Sequence, residues 1–121
     1  MATHQSTFHS FLQHVSHLTA AAAEPQEVLA KIVASLDEHL GHARASIRLH
    51  IHSKSVAMEG PGIQKANFVF SRPIAVRGRE YGQLSVETHT PVGSPRDWML
   101  TLDTLSQQLA LYAERLELAE N

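Results

Sequence analysis

The spacing of apolar residues changes from helical to alternating and back again along the chain. Phe8, Phe11, Leu12, Val15 and Leu18 recur at three- and four-residue steps. They predict one face of a first helix, capped by Ser6 after a short tail (residues 1–6) and running into the alanines at 20–23. Glu24-Pro25-Gln26-Glu27 breaks that register, and Pro25 suits the first turn of a second helix. Val28, Leu29, Ile32, Val33, Leu36 and Leu40 form its stripe, with Gly41 as the expected stop.

From Ala45 to His52 the period drops to two. Ile47, Leu49 and Ile51 face one way, and Ser46, Arg48, His50 and His52 the other, which predicts a half-buried strand. After a turn at Ser53-Lys54, Ser55 to Met58 would pair back, and Glu59-Gly60-Pro61-Gly62 ends that hairpin. A third strand spans Asn67 to Val76, with Phe68, Phe70, Ile74 and Val76 on one parity and Arg72 interrupting them. Pro73 has no N–H, so this strand belongs at a sheet edge or carries a bulge. Arg77-Gly78-Arg79-Glu80 reads as a turn. Tyr81 to Thr88 reads as a fourth strand with Gly82, Leu84 and Val86 on one face and Gln83, Ser85 and Glu87 on the other.

The period then returns to the helical one. Ser94-Pro95-Arg96-Asp97 combines a cap, a proline at the first helical position and an acid three residues after the cap. Trp98, Leu102, Leu105, Leu109, Tyr112 and Leu116 follow as a heptad-like seam on a helix of about 27 residues and about 40 Å. Its first half is expected to cover the chain's own core. Its second half, Tyr112 and Leu116, is expected to overshoot the domain and meet a partner, helped by a second flank at Leu100, Leu111 and Leu118. One-sided strands and striped helices in the order helix, helix, four strands, helix predict an α+β domain: an antiparallel sheet of four or more strands with the helices on one face.

Length and composition narrow the function without assigning it. The 121 residues suffice for one core, 43% apolar content is ordinary, and the net charge of −2 gives no reason to expect nucleic acid or an acidic membrane as partner. There is no cysteine, which removes disulfides, thiolate metal sites and thiol catalysis and agrees with a cytoplasmic protein. Neither a signal peptide nor an apolar run of about 18 residues is visible. No G-x-S-x-G turn, glycine-rich phosphate loop or clearly paired carboxylates suggest an enzyme.

The sequence resembles the GAF family of small-molecule sensory domains. The resemblance is carried by Val28-Leu29-Ala30-Lys31-Ile32-Val33, by Ala45 to Ile51, and above all by Arg72-Pro73-Ile74-Ala75-Val76, a turn, and Tyr81-Gly82-Gln83-Leu84-Ser85-Val86. That last piece is similar to the family's "P-L/I, short turn, G-x-L-x-V" strand pair. Leu105-Ser106-Gln107-Gln108-Leu109-Ala110 resembles its closing helix. PAS domains and other profilin-like sensors share this two-layer architecture. The resemblance implies one GAF-like domain over 1–121 with 94–121 as a signalling helix. The two apolar flanks of the closing helix predict a parallel homodimer through the first and last helices, and the resemblance implies relay to an effector beyond Asn121 in bacterial signal transduction or transcription regulation.

The departures from the family matter as well. Ligand-binding members cover the polar sheet face with a long helical segment between the second and third strands, whereas here only about Glu59 to Ala66 is available. Cysteine-linked tetrapyrroles and methionine sulfoxide reduction are removed with cysteine, the cyclic-nucleotide pattern is missing, and no cofactor is implied. An adaptor that binds only proteins is the alternative.

Two candidate sites remain. Arg48, His50, His52, Gln83, Ser85 and Glu87 share the polar parity and would line a shallow site for a small polar or anionic ligand, with the arginine as a two-pronged donor for a carboxylate. His50, His52 and Glu87 alone have the two-histidine, one-carboxylate composition that Zn²⁺ or Fe²⁺ accepts, provided their strands are neighbours. A solvated sheet face is the plain alternative to both. His9, His14 and His17 on the first helix are read as surface or subunit contact with some pH sensitivity near 6.5. The Arg77-Gly78-Arg79 tip is too small a basic patch for nucleic acid.

Overall fold

The computed structural model describes residues 4–21, 24–40, 43–51, 54–59, 67–89 and 94–119. Helices α1 (His4–Ala20) and α2 (Pro25–Leu40) precede strands β1 (Ala43–Ile51), β2 (Lys54–Glu59), β3 (Phe68–Val76) and β4 (Arg79–Thr88), and α3 (Pro95–Ala119) follows. This is the expected order. The first helix starts at His4, so Ser6 lies inside it rather than at its cap and the expected tail is shorter. Gly41, His52, Ser53 and the stretch 60–66, on which the expected shortage of a lid rests, lie outside the described residues.

The strands form one antiparallel sheet in the order β2-β1-β4-β3. Its helix-side face carries Ala45, Ile47, Leu49, Ile51, Phe70, Ile74, Leu84 and Val86, all buried. Helix α2 covers β1 and β2, α3 covers mainly β3 and β4, and α1 packs against both helices. Where they meet, Trp98 stacks on Phe70 at 5.7 Å and takes the edge of Phe8 at 6.0 Å.

Local chemistry explains the element ends. Ser94 and Asp97 form a reciprocal capping box, with Asp97 N–H donating to Ser94 Oγ (3.2 Å) and Ser94 N–H to Asp97 Oδ2 (3.4 Å). The β3–β4 turn is tighter than the sequence suggests. Only Arg77 and Gly78 form it, at φ 55° and 76°, the positive-φ pair of a two-residue hairpin turn. β3 is an edge strand as Pro73 requires, and the register shifts between Ile74 and Ala75. Ile74 pairs with Gly82 and Ala75 with Glu80, so Tyr81 is an extra residue on β4. That bulge puts Tyr81 in the core, a placement that strict alternation does not give.

The second half of α3 corrects an expectation. Tyr112 is buried and Leu116 packs against the core, so neither is left for a partner. The β3–β4 hairpin runs alongside this half of the helix. Arg77 pairs with Glu114 (2.6 Å) and Arg79 with Glu117 (2.6 Å), while Arg72, the residue that interrupts the apolar parity of β3, pairs with Asp103 (2.5 Å). Among the described residues no helix is long and apolar enough to cross a membrane.

Candidate functional site

The outer face of the sheet is built from the second parity of each strand. Its cross-strand rows follow from the register: Arg44 opposite Glu87, Ser46 between Glu59 and Ser85, Arg48 between Ala57 and Gln83, and His50 opposite Ser55. On this face Arg44 and Arg48 have different surroundings. Arg44 lies between two acids from the neighbouring strands, 3.5 Å from Glu59 Oε1 and 3.5 Å from Glu87 Oε2, and its charge is compensated. Arg48 has neutral neighbours in its row and makes no ion pair or hydrogen bond among the described residues.

Arg48 borders two adjoining shallow, open concavities. One of about 270 Å³ is lined by Arg48, His50, Glu80, Gly82 and Gln83, and one of about 230 Å³ by Ser46, Arg48, Gln83 and Ser85. His50 is held in place, its Nδ1 2.7 Å from Ser55 Oγ, and Ser85 Oγ lies 3.3 Å from Ser71 Oγ. The result is a guanidinium without a partner among the described residues, beside His50, Gln83 and Ser85, which both donate and accept, a surface able to take a carboxylate. Glu80 also lines the first concavity, and the sequence reading missed it by assigning residue 80 to the turn.

The register separates the proposed metal ligands. β1 and β4 are neighbours, but they run antiparallel and Glu87 stands opposite Arg44, six residues along β1 from His50. At about 3.4 Å per residue that is roughly 20 Å, too far for one ion. His52 lies outside the described residues, and no group of three metal-ligating side chains occurs among the described ones. Of the six polar-face residues, the structure thus brings Arg48, His50, Gln83 and Ser85 together, while Glu87 belongs to the Arg44 cluster.

The helix layer presents a second surface. Leu100, Leu111 and Leu118 are 55%, 46% and 64% exposed, and Thr104 and Gln107 between them are exposed as well. Their spacing continues a four-three repeat along one stripe of α3. A groove between α1 and α3 borders that stripe, about 360 Å³ where Ser16, Ala20, Gln108 and Leu111 line it. Tyr112 lies on the inner side of the same helix, and burial pushes its hydroxyl above the usual phenol range.

No family model matches the sequence, and no curated protein matches it. Among solved structures, the chain is similar to the crystal structure of the A. aeolicus nlh2 GAF domain in an inactive state. That match has a TM-score of 0.66 and covers 93% of this chain and 99% of that one, at 13% identity. At this identity the likeness is one of architecture, and it agrees with the resemblance carried by the strand pair at 72–86: the chain has the fold of a GAF domain.

Proposed function

We propose that the chain is a non-enzymatic sensory or regulatory module of a cytoplasmic signalling protein. It pairs with a second copy through α1 and α3 in parallel and passes changes in helix packing along α3 to an effector. The observation that carries this reading is the leucine stripe. One flank of α3 is used by the core and another by the β3–β4 hairpin, yet Leu100, Leu111 and Leu118 stay open on a third. Large apolar side chains in one row at heptad-compatible spacing mark a surface that another helix covers. Sedimentation velocity at about 100 µM is expected to give a dimer and Leu111→Glu a monomer; a wild-type monomer at about this concentration, corresponding to binding weaker than about −5.5 kcal/mol, counts against the pairing.

The uncompensated Arg48 favours a second role for the same module. The polar face would bind a small carboxylate, with Arg48 as the fork and His50, Gln83 and Ser85 as hydrogen-bonding neighbours. A thermal-shift panel of mono- and dicarboxylates at millimolar concentration tests it. At ten times Kd a ligand adds about 1.4 kcal/mol, or about 5 °C for a domain of this size, and Arg48→Ala should abolish the rise. No shift across the panel supports the adaptor reading, in which the sheet face is only solvated.

A further inference from the structure

The only cluster of basic residues in the sequence, Arg72, Arg77 and Arg79, points at one helix. Each guanidinium meets an acid of α3: Asp103, Glu114 and Glu117 in turn. The two halves of that helix are held differently. Between residues 98 and 109 it buries Trp98, Leu102, Leu105 and Leu109 completely. Beyond Ala110 the buried side chains are Tyr112, Ala113 and Glu117, with Leu116 half-buried. The Tyr112 hydroxyl is buried with no hydrogen bond among the described residues, so even this aromatic carries a polar cost. Large apolar anchors thus give way to ion pairs in the last two turns.

The hairpin arm is short and tightly turned. Arg77 and Gly78 make a tight turn at positive φ, and the Arg79 guanidinium lies 5.2 Å from the ring centre of the buried Tyr81. Arg79 reaches Glu117, whose side chain is only 12% exposed, from the strand beside the turn. Arg77, 68% exposed, reaches Glu114 from the tip of the turn.

We infer that the Arg77-Gly78-Arg79 turn is an ionic clasp that holds residues 112–119 of α3 on the domain by charge, adding to the limited apolar burial of Tyr112, Ala113 and Leu116. This end of the helix opens locally while residues 98–109 stay docked, giving α3 two arrangements of the kind a switch requires. The opening would serve the signalling role proposed above, and only its purpose rests on that reading.

Amide hydrogen exchange on the full chain tests the clasp. In Arg77→Glu/Arg79→Glu, amides of 112–119 are expected to exchange about tenfold or more faster than in wild type, with 98–109 within about twofold. Adding Glu114→Arg and Glu117→Arg, which restores the pairs in reverse, should return the protection. For the wild type, raising NaCl from about 0.01 M to about 1 M, which shortens the Debye length from about 30 to about 3 Å, should accelerate the same amides. Unchanged protection of 112–119 in the charge-reversed variant, or equal acceleration along the whole helix, overturns the clasp. If that variant does not fold, the wild-type salt series decides, and no salt effect at 112–119 overturns it. A monomer with a salt-sensitive helix end keeps the clasp and removes the pairing; a dimer with an insensitive end does the reverse.

Discussion

Replacing Gly82 by alanine is expected to cost about 3 kcal/mol or more, a large share of the roughly 5–15 kcal/mol that holds a domain folded. An added Cβ would lie 1.8 Å from the Arg48 carbonyl oxygen, 2.7 Å from its carbonyl carbon and 3.1 Å from Leu49 Cα. All three are backbone atoms of the central strand β1, so no side chain can swing away to make room. Gly82 pairs with Leu49 where β4 lies against β1, one residue from the bulge at Tyr81. Gly78→Ala is the control: nothing lies within 4 Å of its added Cβ, and only the φ of 76° opposes it, at about 1–2 kcal/mol. Urea denaturation at 25 °C separates the two. A Gly82→Ala midpoint as high as that of Gly78→Ala would mean that β4 can move away from β1.

Trp98→Ala is expected to cost about 3–5 kcal/mol, the range for removing a buried aromatic, and to lower Tm by about 15 °C in a circular-dichroism melt. Trp98 has no exposed surface and joins three elements: it sits on α3, stacks on Phe70 of β3 and receives Phe8 of α1. Phe68 extends the stack at 6.5 Å from Phe70. The indole N–H is buried with no hydrogen bond among the described residues, so part of the side chain's burial opposes folding. Trp98→Phe, which keeps a ring and removes that N–H, is therefore expected to cost less than half as much. Equal losses for the two variants would place the energy in the indole itself rather than in the ring stack.

Features set by neighbouring residues were legible in the sequence. The period of two placed Ile47, Leu49, Leu84 and Val86 on the buried face, and the Ser94–Asp97 spacing located the start of α3. Pro73 announced the edge, but not the extra residue that β4 carries at Tyr81. What remained hidden depends on residues far apart in the chain. Parity says which face a side chain occupies but not how far along the strand its neighbour lies, so His50 and Glu87 shared a face without sharing a site. The pairs Arg77–Glu114 and Arg79–Glu117 span nearly forty positions, and no local spacing encodes them. The same gap made α3 look too long for its domain, because the hairpin that flanks its second half became visible only in the folded chain. The polar face was legible as a set of residue types, but the contrast between a compensated Arg44 and an uncompensated Arg48 is a product of register.

The edge strand β3 also bears on how copies of this chain avoid joining in the wrong way. An open strand edge is a template on which another strand can grow, and from which fibrils begin. Here Pro73 offers no N–H and the ladder changes step one residue later, between Ile74 and Ala75. An incoming strand would find the run of backbone donors along β3 interrupted at Pro73. The opposite edge, β2, is only six residues long. Growth from strand to strand is blunted at both margins.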